Sequence, residues 1–172
     1  MIGINGNYYR LLIAELQSDL EAVEKVAAEI QNALKEKKGP LSNLELAGIA
    51  HLLENFYTAI EDMLLRIASR VDKSLPTGEK WHKDLLFRMT LRIPAVRPPV
   101  LDRRLYEVLD EYRRFRHRSR HVYRPPIPDW AKMKHLAENV GDNFQETKRQ
   151  TGLFIDFLNK LIASLEEEEE GN

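Results

Sequence analysis

Proline decides where this chain can be regular. All eight prolines, Pro40, Pro76, Pro94, Pro98, Pro99, Pro125, Pro126 and Pro128, fall between segments of apolar periodicity, and none falls inside one. A proline within a helix removes a hydrogen bond and clashes with the preceding turn, so these positions mark boundaries and the intervals between them are candidate helices.

The intervals repeat with helical spacing. From about Asn7 to Lys38 the apolar seam is Leu16, Leu20, Val23, Ala27, Ile30 and Leu34, and "KEKKG" closes it with cations at the negative dipole end and a glycine just beyond. "SNLE" opens the next, where Ser42 and Glu45 form a capping box and the seam is Ile49, Leu53, Phe56, Ile60, Met63 and Ile67. A short turn between two long helices predicts an antiparallel hairpin. A third helix is expected over Gly78 to Arg92, with Trp81, Leu85 and Met89 inward, followed by "IPAVRPPV" as an extended, polyproline-like connector. The fourth runs from near Asp102 to Tyr123. The fifth runs from Asp129 to about Leu165, with a new start at "VGDNFQ" that Asp142 and Gln145 would cap. Gly141 and Gly152, eleven residues apart, mark a tight helix crossing or a break.

No strand-like alternation is long enough to compete. The expected fold is all-α, an antiparallel bundle of about five helices in one domain over residues 1–172, with the acidic tail 166–172 frayed and disordered. At 172 residues, 43% hydrophobic and 31% charged, the chain can bury a continuous core. It has no cysteine, which excludes disulfides, thiolate zinc sites and a cysteine nucleophile. No secretory signal and no apolar run of about 20 residues stands out, so the expected setting is cytoplasmic with no membrane partner.

A formal net charge of -1 conceals an uneven distribution. Residues 76–135 hold 15 basic and 7 acidic side chains, against 8 and 11 in residues 1–75 and 3 and 9 in residues 136–172. The extreme is "YRRFRHRSRHVYRPP", Tyr112 to Pro126, with six arginines, two histidines and no carboxylate. A stripe of Leu101, Leu105, Val108, Tyr112, Phe115, Ser119 and Val122 is expected to face the core. At about 100° per residue this puts Arg113, Arg116, His117, Arg120 and His121 on the outer face. Like charges at 114/118, 116/120 and 120/124 each cost roughly 0.2–0.5 kcal/mol, which an external anion, most simply a phosphate backbone, would offset. His117 and His121 have i,i+4 spacing, but arginines on every side and no nearby carboxylate disfavour a metal; no metal and no cofactor is expected. An imidazole beside a phosphate-binding arginine is suited to proton transfer.

"RHRSRH", Arg116 to His121, matches the R-polar-x3-H motif of HEPN-domain ribonucleases, and "RHRSRHVY" gives R-x4-H-x-Y, which resembles the HepT-like toxins of prokaryotic toxin–antitoxin modules. The resemblance implies metal-independent RNA cleavage, with Arg116 stabilising the phosphate, His121 transferring a proton and His117, in a place often taken by Asn, as a second participant. The charge pattern itself assigns RNA contacts to Arg113, Arg114, Arg118, Arg120 and Arg124. On one helix Arg116 and His121 lie about 140° apart; a homodimer would bring both types around one cleft, as HEPN ribonucleases do. The resemblance also implies a partner, an MNT-type nucleotidyltransferase antitoxin that attaches adenylate to the tyrosine of the motif, here Tyr123. The alternatives are a non-catalytic helical module that binds RNA or a nucleotide through the arginines alone, or one that docks an acidic partner such as that nucleotidyltransferase.

Overall fold

The first proline boundary becomes a helical hairpin. In the computed structural model, which describes residues 6–120 and 128–170 except the side chains of Ser119, Arg120, Glu169 and Glu170, α1 (Gly6–Glu36) and α2 (Asn43–Ile67) run antiparallel. Their facing seams are buried: Leu16, Leu20, Val23, Ala27 and Ile30 on one side, and all six expected positions from Ile49 to Ile67 on the other. The capping box forms, with Ser42 Oγ accepting from the Glu45 N–H at 3.3 Å and Glu45 Oε2 accepting from the Ser42 N–H at 2.7 Å. Lys37 Nζ donates to both oxygens of that carboxylate, at 2.8 and 2.6 Å. Lys37, and then Ser42, hold the Glu45 carboxyl down at about 2. At the far end of the hairpin Arg66 reaches Asp19 at 2.9 Å and Arg70 reaches Glu15 at 3.2 Å.

α2 ends in a π-helical turn, Ala68–Asp72, closed by Lys73 at φ 54°. α3 is shorter than expected, Trp81–Arg88, because Gly78 at φ +89° belongs to the turn before it. "IPAVRPPV" is not a uniform extended path. Ile93 and Arg97 pair as an antiparallel bridge around Ala95, whose φ is 59°. The cause is Arg97, which is buried: its Nε and Nη2 donate to Asp72 at 2.5 and 2.8 Å and its Nη1 to the carbonyls of Leu91 and Pro98 at 3.0 and 3.2 Å. A buried guanidinium needs that many acceptors, and the connector turns to supply them.

α4 (Arg103–Arg120) is capped by Asp102, whose Oδ1 accepts from the Leu105 N–H at 2.7 Å. Asp129, where the fifth helix was expected to start, caps α5 (Trp130–Glu138), accepting from the Ala131 N–H at 3.0 Å. The helix interruption falls at Asn139, earlier than Asp142 and Gln145, and Asp142 lies in the first turn of α6 (Val140–Glu170). The described residues therefore hold six α-helices where sequence analysis expected about five. α6 also continues through the acidic tail, where Glu166 pairs with Arg10 of α1, so the tail expected to be disordered from residue 166 is helical up to Glu170.

α1 packs along both α2 and α6, and α4 packs against α2 and α6 in turn, so α1 and α4 lie across a diagonal of the bundle. Two contacts fix α4: the Asp102 N–H donates to Gln150 Oε1 at 2.7 Å, and Tyr112 Oη donates to the Leu136 carbonyl at 2.7 Å while accepting from Asn143 at 2.9 Å. Tyr112 also meets Phe56 in the core at 5.0 Å between ring centroids. The fold class is all-α, as expected. No helix among the described residues is long and apolar enough to cross a membrane.

Candidate functional site

α4 is rotated from its expected phase. Leu105, Leu109 and Tyr112 are fully buried, while Val108 and Phe115 are only half-buried against the core. The next position in the 105, 109, 112 series is Arg116, and its side chain is 12% exposed. Arg116 thus sits on the inward edge of the helix, not on the outer face where the apolar stripe alone placed it.

The reason lies on α2. Glu61 is 2% exposed, in series with the buried Tyr57 and Leu64. An ionised carboxylate there requires a donor on each oxygen. Arg116 Nη1 donates to Oε1 at 2.9 Å, and His82 Nδ1, on α3, meets Oε2 at 2.7 Å. Three helices converge on one carboxylate. The Arg116 guanidinium lies 6.0 Å from the centroid of the Tyr57 ring, and Trp81 stacks on the His82 ring at 3.6 Å. Burial pushes the Tyr57 hydroxyl well above its usual range; the Glu61 charge adds to this, and those of Arg113 and Arg116 oppose it. The neighbouring Asp62 is raised by burial and by Glu61, with Arg116 acting against both.

The expectation of unpaired positive charge is overturned for part of the helix. Arg113 pairs with Asp110 at 2.7 Å and Arg114 with the same carboxylate at 3.1 Å, two residues before the carboxylate-free stretch begins. With Arg116 held by Glu61, three of the arginines of this stretch pair with carboxylates among the described residues. His117 and Arg118 are exposed on α4. The side chain of Arg120, and all of His121, Tyr123 and Arg124, lie outside the described residues.

The structure joins Arg116 to two residues that sequence analysis did not single out, Glu61 and His82. Glu61 had a signal: Tyr57, Glu61 and Leu64 continue a helical stripe in which a carboxylate is the anomaly. His82 had none, because its partner is 21 residues away. Among the described residues no three His, Asp or Glu side chains gather as a metal-ligand set. A cavity of about 390 Å³ lined by Leu34, Leu41, Leu46 and Trp130 lies at the α1–α2 turn, four helical turns along α2 from Glu61.

A family model described as HepT-like protein matches residues 48–158, from the first turns of α2 into α6, and the chain belongs to that family. α1 lies outside the matched range. No curated protein and no solved structure matches the chain.

Proposed function

With membership of the HepT-like family as the premise, we propose that this protein is a metal-independent endoribonuclease, the toxin of a type VII-like toxin–antitoxin pair, whose site forms at a homodimer interface. The observation that carries the reading is the anchoring of Arg116 by the buried Glu61. Stabilising a phosphorane demands a cation whose orientation is fixed before the charge develops, and a guanidinium held by a buried carboxylate meets that demand better than a solvated one. With Nη1 donating to Glu61, the planar guanidinium is held in one orientation, the geometry that suits recognition of phosphate oxygens.

In this reading the ribose 2′-hydroxyl attacks the adjacent phosphorus, and Arg116 stabilises the charge that builds on the phosphate oxygens. His121 serves proton transfer, and His117, exposed on α4, is a second participant. Arg118, Arg120 and Arg124, with Arg113 and Arg114, attract the RNA backbone. Tyr123, three positions before Pro126, is the acceptor for adenylate from an MNT-type nucleotidyltransferase. The added phosphodiester places negative charge near the substrate phosphate site and silences the nuclease.

The test is cleavage of RNA in EDTA by protein freed of contaminating nuclease. Wild-type protein is expected to cut, and Arg116→Ala and His121→Ala each to abolish cutting with helicity unchanged. Full activity in His121→Ala would overturn the assignment.

A further inference from the structure

We infer that His82 is the base of the cleavage site, held for that role by Glu61; the inference rests on the nuclease reading above and extends it to a residue outside the R-x4-H-x-Y segment. A carboxylate only accepts, so the Nδ1 facing Glu61 Oε2 carries the hydrogen and the lone pair of the neutral ring is on Nε2. Nε2 lies across the ring from Nδ1, away from Glu61, and the side chain is 31% exposed. The Trp81 ring, stacked at 3.6 Å and 28°, fixes the imidazole plane. Behind it, Glu61 stabilises the imidazolium that proton uptake creates. Arg116 occupies the other oxygen of the same carboxylate. Base and phosphate-binding cation are thus held by the two oxygens of a single buried carboxylate.

His82 brings an imidazole to the anchored Arg116 from a different helix, through the carboxylate they share. The proton balance is then complete. His82 Nε2 takes the proton of the 2′-hydroxyl as that oxygen bonds to phosphorus. The bond from phosphorus to the 5′ oxygen breaks, and the leaving oxygen takes a proton from His121 in its protonated form. The products are a 2′,3′-cyclic phosphate end and a 5′-hydroxyl end, and both imidazoles reset by exchange with water.

The test compares wild type, His82→Ala, His82→Gln and His121→Ala on one RNA oligonucleotide in EDTA, with and without added imidazole, each variant checked by circular dichroism. His82→Ala is expected to lose about 100-fold in rate and to regain activity with imidazole. His82→Gln keeps an N–H for Glu61 but cannot take the proton; it is expected to stay folded and inactive, and it decides the matter should the alanine variant fail to fold. Wild-type rates in His82→Gln would make His82 a support for Glu61 and overturn the inference. An active His82→Ala beside an inactive His121→Ala would overturn it while leaving the nuclease reading intact. Absence of cleavage by wild type would remove both.

Discussion

A carboxylate as buried as Glu61 carries a desolvation cost of several kcal/mol, which its partners must offset. Arg116 at 2.9 Å and His82 at 2.7 Å do so by filling both oxygens. Removing one partner exposes the cost, whereas removing both charges abolishes it. Glu61→Leu, which leaves a largely buried guanidinium without its carboxylate, should destabilise by about 3–5 kcal/mol. The double variant Glu61→Leu/Arg116→Leu should lose much less than the sum of the two single changes. Urea unfolding of the four proteins measures the coupling. Additive losses would mean that the pair is incidental, and that the orientation of Arg116 has another source.

At the scale of helices, legibility depended on whether a helix finds its phase from its own apolar residues. α1 and α2 do: each carries an uninterrupted seam, buried from Leu16 to Ile30 on α1 and from Ile49 to Ile67 on α2, although α2 buries a second series through Tyr57, Glu61 and Leu64 as well. α4 offers two stripes, through Val108 and Phe115 or through Leu109 and Arg116. The choice between them is made by Glu61 on α2, a tertiary partner that no local pattern reveals. Arg97 was unreadable for the same reason, since a cation is assigned to solvent unless its acceptors are known. The break at Asn139 was misplaced because Asp142 and Gln145 imitate a cap that the chain does not use. The glycines of α6 part company as well. A Cβ at Gly141 would lie 2.0 Å from the Gln31 side chain of α1, the close crossing expected there, but one at Gly152 would meet nothing within 4 Å. Gly152 is therefore a plain helix-interior glycine. Gly152→Ala should stabilise by about 0.5–1 kcal/mol. In a domain of this size that raises the thermal midpoint by roughly 2–4 °C per kcal/mol. A lowered midpoint in calorimetry would show that a small residue is required there.

For the molecule as a whole, the diagonal placement of α1 and α4 separates two roles. α1 closes the bundle against α2 and α6, and it is the helix outside the family match. α4 faces away from it, with Arg114, His117 and Arg118 exposed. A two-fold contact through the α4 face buries like charges against each other unless each chain offers its cations to a shared anion, the arrangement that RNA cleavage at a joint cleft provides. If one chain contributes Arg116, Glu61 and His82 and the other His121, a site is complete only across the axis. Arg116→Ala and His121→Ala proteins, each inactive alone, then complement one another when mixed under conditions of subunit exchange. Half of the dimers are mixed and one of their two sites is intact, so about a quarter of wild-type activity should return. Light scattering at micromolar concentration should give the dimer mass. Mixtures that stay inactive while exchange is demonstrated by mass would place all the catalytic groups in one chain, and a strict monomer that still cleaves RNA would remove the shared cleft altogether.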